Sequence, residues 1–112
     1  MTNAPKRGEV WLVDLGMVAK VRPCLVISIP ADHPDDRVLT TLIPHTTSTR
    51  GSRFEVALNV SGLKTGAFDA QNIITIPAVK LTRLITQLSI DQIQQIENAL
   101  RSWLGLYDST QS

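Results

Sequence analysis

Arg22 stands directly before Pro23, and the run Cys24-Leu25-Val26-Ile27 follows at once. Proline fixes its own φ and pushes the residue before it out of the helical region. The apolar, partly β-branched run suits a strand covered on both faces. Arg22 therefore sits at the entrance of a rigid element, and its charge cannot follow that strand into a core unpaired. The chemistry this permits is the holding of an anion; the plain alternative is a solvated surface arginine. A second candidate is His45-Thr46-Thr47-Ser48-Thr49-Arg50-Gly51-Ser52-Arg53, which is hydroxyl-rich, basic and free of acids. Hydroxyls and backbone amides hold phosphate well, and Arg50 and Arg53 can neutralise it. Its plain alternative is a loop whose hydroxyls bond their own backbone.

Other chemistries lack their residues. His33 and His45 lie far apart with no paired cysteine, and Asp32, Asp35 and Asp36 miss the register of a calcium loop, so no protein-only metal site is expected. Cys24 with His45 as its base would make a nucleophile, but a cysteine inside an apolar strand behaves as a small buried hydrophobe. Gly62-Leu63-Lys64-Thr65-Gly66 does not have phosphate-loop spacing and reads as a turn.

The whole chain bounds these sites. Its 112 residues point to a single domain, 43% hydrophobic and 19% charged, which is neither disordered nor membrane-spanning in character. The first residues show no secretory signal, and one cysteine suits a reducing cytoplasm. A net charge of +1 means that any nucleic-acid site must be a local patch.

The elements that must position the candidates read as follows. A polar arm covers residues 1–7 and strands are expected over 10–15, 22–29 and 38–43, the third stopped by Pro44. A long loop then runs from His45 to Arg53, and further strands are expected over 54–58, 67–76 and 80–88. Ser89 and Gln92 form a capping box, Leu88 and Ile93 the staple around it, and Gly105 a stop, which predicts a helix over 89–105. Ile93, Ile96, Leu100, Trp103 and Leu104 give that helix an apolar face. Short strands plus one terminal helix suit a small β-barrel.

In chain order, four stretches resemble the MazF/PemK toxins: Lys6 to Leu15, Val21 to Ser28, Ile43 to Ser48, and Gly62-Leu63-Lys64 with Asp69-Ala70-Gln71. The terminal helix is similar too. The resemblance implies a mainly β, SH3-like barrel of the CcdB/PemK type with a C-terminal helix. It also implies a homodimeric toxin of a type II toxin–antitoxin pair, cleaving single-stranded mRNA without metal or cofactor and blocked by a cognate antitoxin. In that scheme the nucleophile is the RNA 2′-hydroxyl. Arg22 stabilises the phosphoryl charge, Thr46 matches the family's catalytic threonine and Thr47 assists. Lys20, His45, Ser48, Arg50, Arg53, Asp69 and Gln71 are the expected RNA contacts. Two family features are absent: the loop from Gly16 to Val21 has no histidine, and Phe68 and Ala70 replace an Arg-x-Asp pattern. His45 is then the candidate proton acceptor. Two other readings stand beside this one: a non-catalytic RNA- or peptide-binding barrel, and a toxin of the same fold acting on DNA gyrase.

Overall fold

The computed structural model describes residues 4–16 and 20–106. Among these residues seven strands and one α-helix follow the chain: β1 (Glu9–Asp14), β2 (Val21–Val26), β3 (Leu39–Thr46), β4 (Glu55–Ala57), β5 (Ala67–Asp69), β6 (Ile74–Pro77), β7 (Leu81–Gln87) and α1 (Ile90–Leu104). The strands are antiparallel and run β4-β5-β3-β2-β1-β7 in space, with β6 also on β3. This is the expected mainly β architecture with a terminal helix. The expected strands at 10–15 and 22–29 are each displaced: the first begins at Glu9, and the second ends at Val26.

Two corrections concern the neighbourhood of the candidate site. Pro44 does not stop β3, which runs on through His45 to Thr46. On one side β3 pairs β2; on the other it pairs β6 up to Leu42 and β5 from His45 onward. Pro44 falls in the gap between those two neighbours, where a missing N–H costs least. The expected single strand over 67–76 is likewise two strands. Asp69 caps a 3-10 turn over Ala70–Asn72, accepting from the Gln71 amide, and the chain turns there before β6 begins. Both pieces pair with β3, so this corner bends the sheet around it.

The core has two parts. Val10, Leu25, Ile43, Phe68, Leu88 and Ile96 form the inner one, beneath α1. Val13, Cys24, Val26, Leu42 and Leu81 form the other, on the opposite face of the sheet. The capping box is present, with Ser89 Oγ accepting from the Gln92 amide and Gln92 Oε1 from the Ser89 amide. Gly105 ends the helix in the left-handed region at φ 68°. Along the predicted apolar face Ile96 is buried and Ile93 and Leu100 are half-buried, whereas Trp103 and Leu104 stay exposed. Trp103 meets Phe54 edge-on, 5.4 Å between ring centres.

Gly8 ties the ends of this architecture together. Its N–H donates to Val26 and its carbonyl accepts from Leu88. A Cβ there would stand 2.7 Å from Ile93 Cδ1 at a backbone φ of +95°. Beside it, Arg7 pairs with Glu97 of α1 and donates from Nε to the Ile27 carbonyl.

Candidate functional site

The inner face of the sheet is closed at one end by α1 and open at the other. At the open end lies a cavity of about 470 Å³ lined by residues of β1, β2, β3, β7 and the 62–64 turn. Arg22 and Pro23 enter it from β2, His45 and Thr46 from β3, and Thr47 and Ser48 from the turn that follows. Lys64 and Arg83 add two further cations, and Leu12, Leu63 and Ile85 supply apolar wall. Among the described residues, no carboxylate lines the cavity. A chain of net charge +1 thus concentrates three cations at one opening. Fields of one sign in a cleft are focused by its low-dielectric walls, which raises the local concentration of an anionic ligand. Among the described residues none of the three cations is held in an ion pair.

Local structure fixes the lining groups. Arg22 is half-buried on β2 opposite the fully buried Val13, and its carbonyl accepts from the Cys24 thiol. Burial pushes that thiol up to about 12, against the lowering pull of Arg22, so Cys24 is not a thiolate nucleophile. Thr46 ends β3, and its Oγ1 accepts from the Ser48 amide at 3.0 Å, which folds Thr47 and Ser48 back beside it. His45 is 4% exposed, with its ring edge-on to Phe68 at 5.0 Å. Its Nε2 is buried without a hydrogen-bond partner, and burial lowers its pKa, which keeps the imidazole neutral. Gly66 closes over this pair: a Cβ there would run into the Thr46 carbonyl and stand 2.9 Å from His45 Cε1.

The other expected contacts lie elsewhere. The amides of Arg50 and Ser52, which could have cradled a phosphate, donate to the Glu55 carboxylate at 3.0 Å. Those bonds hold the Glu55 pKa below its ordinary value. The Arg53 guanidinium rests over the Phe54 ring, 4.6 Å from its centre. Asp69 accepts from the Gln71 amide and the Asn72 side chain at its corner, and Gln71 is exposed on that turn. Lys20 is exposed, has φ 58° and bonds back to Gly16, at the edge of the undescribed residues 17–19. None of these five lines the cavity. Conversely, reasoning from the sequence singled out neither Lys64 nor Arg83 as a functional group.

The architecture has parallels among known proteins. PemK-like, MazF-like toxins of type II toxin–antitoxin systems match residues 6–104. The chain belongs to this family. Endoribonuclease MazF4 of Mycobacterium tuberculosis is 36% identical over 106 residues, 93% of this chain and 96% of that protein. A mycobacterial endoribonuclease solved in complex with its cognate antitoxin superposes with a TM-score of 0.79 at 30% identity, over 94% of this chain and 99% of that one. The Mycobacterium tuberculosis toxin MazF-mt6 gives 0.75 at 27% identity, over 89% and 99%. The MazF/PemK fold expected from the sequence is therefore the fold observed. Within it, the open end of the inner face is where this MazF/PemK chain gathers its cations.

Proposed function

We propose that the chain is the endoribonuclease toxin of a type II toxin–antitoxin pair, cutting single-stranded mRNA at short sequences. The observation that carries this reading is that Arg22 and Thr46, distant in sequence, line one cavity with the cations Lys64 and Arg83. The RNA 2′-oxygen attacks the adjacent phosphorus; the bond to the 5′-oxygen breaks, leaving a 2′,3′-cyclic phosphate and a 5′-hydroxyl. Charge gathers on the phosphoryl oxygens as this happens. Arg22 meets it electrostatically, its backbone held by Pro23 and the strand behind. Thr46 orients the 2′-hydroxyl or the phosphate, and Thr47 assists. His45 packs beneath Thr46 with Nε2 enclosed, so the 2′-hydroxyl proton leaves to water, which also protonates the departing 5′-oxygen. No step asks for a metal or cofactor.

By kinship with a toxin solved beside its antitoxin, we assign this chain a cognate antitoxin whose acidic tail covers the cationic opening. We further assign it a homodimeric state, one domain over residues 1–112 and a cytoplasmic setting. Among the described residues no helix is long and apolar enough to cross a membrane.

The test is to incubate the purified protein with mixed RNA in EDTA and map the ends. Cyclic-phosphate termini that vanish in both Arg22→Ala and Thr46→Ala support the reading. Binding by a folded dimer without cleavage would sink it and favour a non-catalytic RNA-binding barrel. RNA left untouched while gyrase is inhibited would favour the gyrase alternative.

A further inference from the structure

Arg83 reaches the cavity because β7 is irregular. Opposite β1, Leu12 pairs with Arg83 but Val13 pairs with Leu81, so Thr82 is an extra residue in the ladder. Thr82 Oγ1 donates to the Leu12 carbonyl at 3.0 Å, which pins this bulge. As a result Leu81 packs in the outer core with Val13 and Cys24, while Arg83, two residues on, lines the cavity with Leu12. Without a bulge, residues two apart share a face. Bulges re-aim side chains and are frequent beside active sites.

The register then measures where Arg83 stands. Leu12 pairs with Pro23, and one step past the Cys24–Pro44 pair brings His45 opposite Pro23. His45, Pro23, Leu12 and Arg83 thus form one row across β3, β2, β1 and β7. Three strand spacings separate the ends of that row, about 14 Å. Arg83 thus lines the cavity from the strand three away from the one that carries Thr46, and it makes no ion pair among the described residues. Between them in the row stand Pro23 and Leu12, both lining the cavity, an apolar surface for the face of a base.

We propose that Arg83 is a specificity-determining residue that holds a phosphate flanking the scissile one, so that the cavity grips an RNA strand at two points. This rests on the reading of the chain as a ribonuclease. Grip at a second phosphate stabilises substrate and transition state alike, so it acts on KM more than on kcat. It also selects RNA long enough to span the row.

The test uses the full chain with oligoribonucleotides carrying a mapped cleavage sequence. One is trimmed to the scissile step and one extended on both sides, each also made with a 2′-deoxy block for binding. Arg83→Ala is expected to weaken binding of the extended strand roughly ten-fold, mostly through KM. Its log–log salt slope should fall by about 0.7, the value for one phosphate on a single strand. The trimmed strand should be affected far less. Arg83→Lys should keep the slope. Arg37→Ala, an exposed arginine outside the cavity, controls for net charge. Equal losses on trimmed and extended strands, or equal slope changes in the Arg83 and Arg37 variants, would overturn the proposal. So would an Arg83→Ala protein whose affinity falls only for the antitoxin. If the unaltered protein neither binds nor cuts RNA, the ribonuclease reading itself fails, independently of Arg83.

Discussion

Two halves of one segment, 45–48 and 50–53, have similar composition and opposite employment. Both are polar, hydroxyl-bearing and free of acids. The first is anchored to β3 and lines the cavity. The second is folded onto Glu55, whose carboxylate takes the amides of Arg50 and Ser52, while the Arg53 guanidinium stands over the Phe54 ring. The difference comes from what stands next to each half. A strand end with two threonines beside cations leaves hydroxyls available to an external anion. A carboxylate two residues beyond Arg53 serves as an internal anion and occupies the donors. A phosphate-binding composition therefore becomes a site only where no neighbouring acid fills it first.

The largest expected effect breaks the first half. Arg22→Ala and Thr46→Ala should each reduce cleavage roughly 10²–10³-fold, read in single-turnover assays, with circular dichroism and Tm near those of the parent. A large Tm loss in both would mean that this half is structural like the second. Next comes the contact that holds the first half in place. Gly66→Ala forces a methyl against the Thr46 carbonyl and should cost about 1–3 kcal/mol, read by denaturant unfolding, with cleavage falling as Thr46 shifts.

Two smaller effects separate the halves by pH. Burial lowers the His45 pKa from its ordinary 6.5. The unfolded chain therefore binds more protons just below that value, and stability is complete above pH 6.5 and declines as pH falls toward the folded pKa. His45→Gln should flatten this part of the Tm–pH curve. Glu55 is also depressed, from 4.5, so its contribution is present above that value and lost as pH falls through the lowered one. Glu55→Gln should lower Tm slightly at neutral pH and converge with the parent in acid. If the two substitutions altered the same pH window, the contrast between the halves would dissolve.

The helix was legible because its signals are local: the Ser89–Gln92 capping box and the Gly105 stop are both present, and the apolar period buries Ile96, while Trp103 and Leu104 at its end stay exposed. Arg22 at the mouth of β2 was legible for the same reason, since Pro23 and the following run are adjacent. What escaped depended on partners distant in sequence. Pro44 reads as a stop until one knows that β3 changes neighbours there. The 67–76 run reads as one strand until Asp69 is seen capping a turn. Arg83 reads as an ordinary strand residue on the face of Leu81 and Ile85, because the bulge at Thr82 exists only against β1. Lys64 sits in a turn whose position is set by the close approach of Gly66 to β3. Alternation along a chain predicts a face only while the ladder has no extra residue.

The stitch at Gly8 has a consequence for timing during synthesis. β1 lies between β2 and β7, so the first strand of the chain needs the last one as a neighbour, and Gly8 accepts from Leu88 next to the helix start. A nascent chain emerging from its N-terminus has Arg22 and Thr46 in hand well before Arg83, Ile85 and α1 exist. Until those leave the ribosome, one edge of β1 is unpaired and the inner core lacks its cover. The wall of the cavity that carries Arg83 and Ile85 is therefore the last to be made, and nothing earlier in the chain takes the place of β7 beside β1.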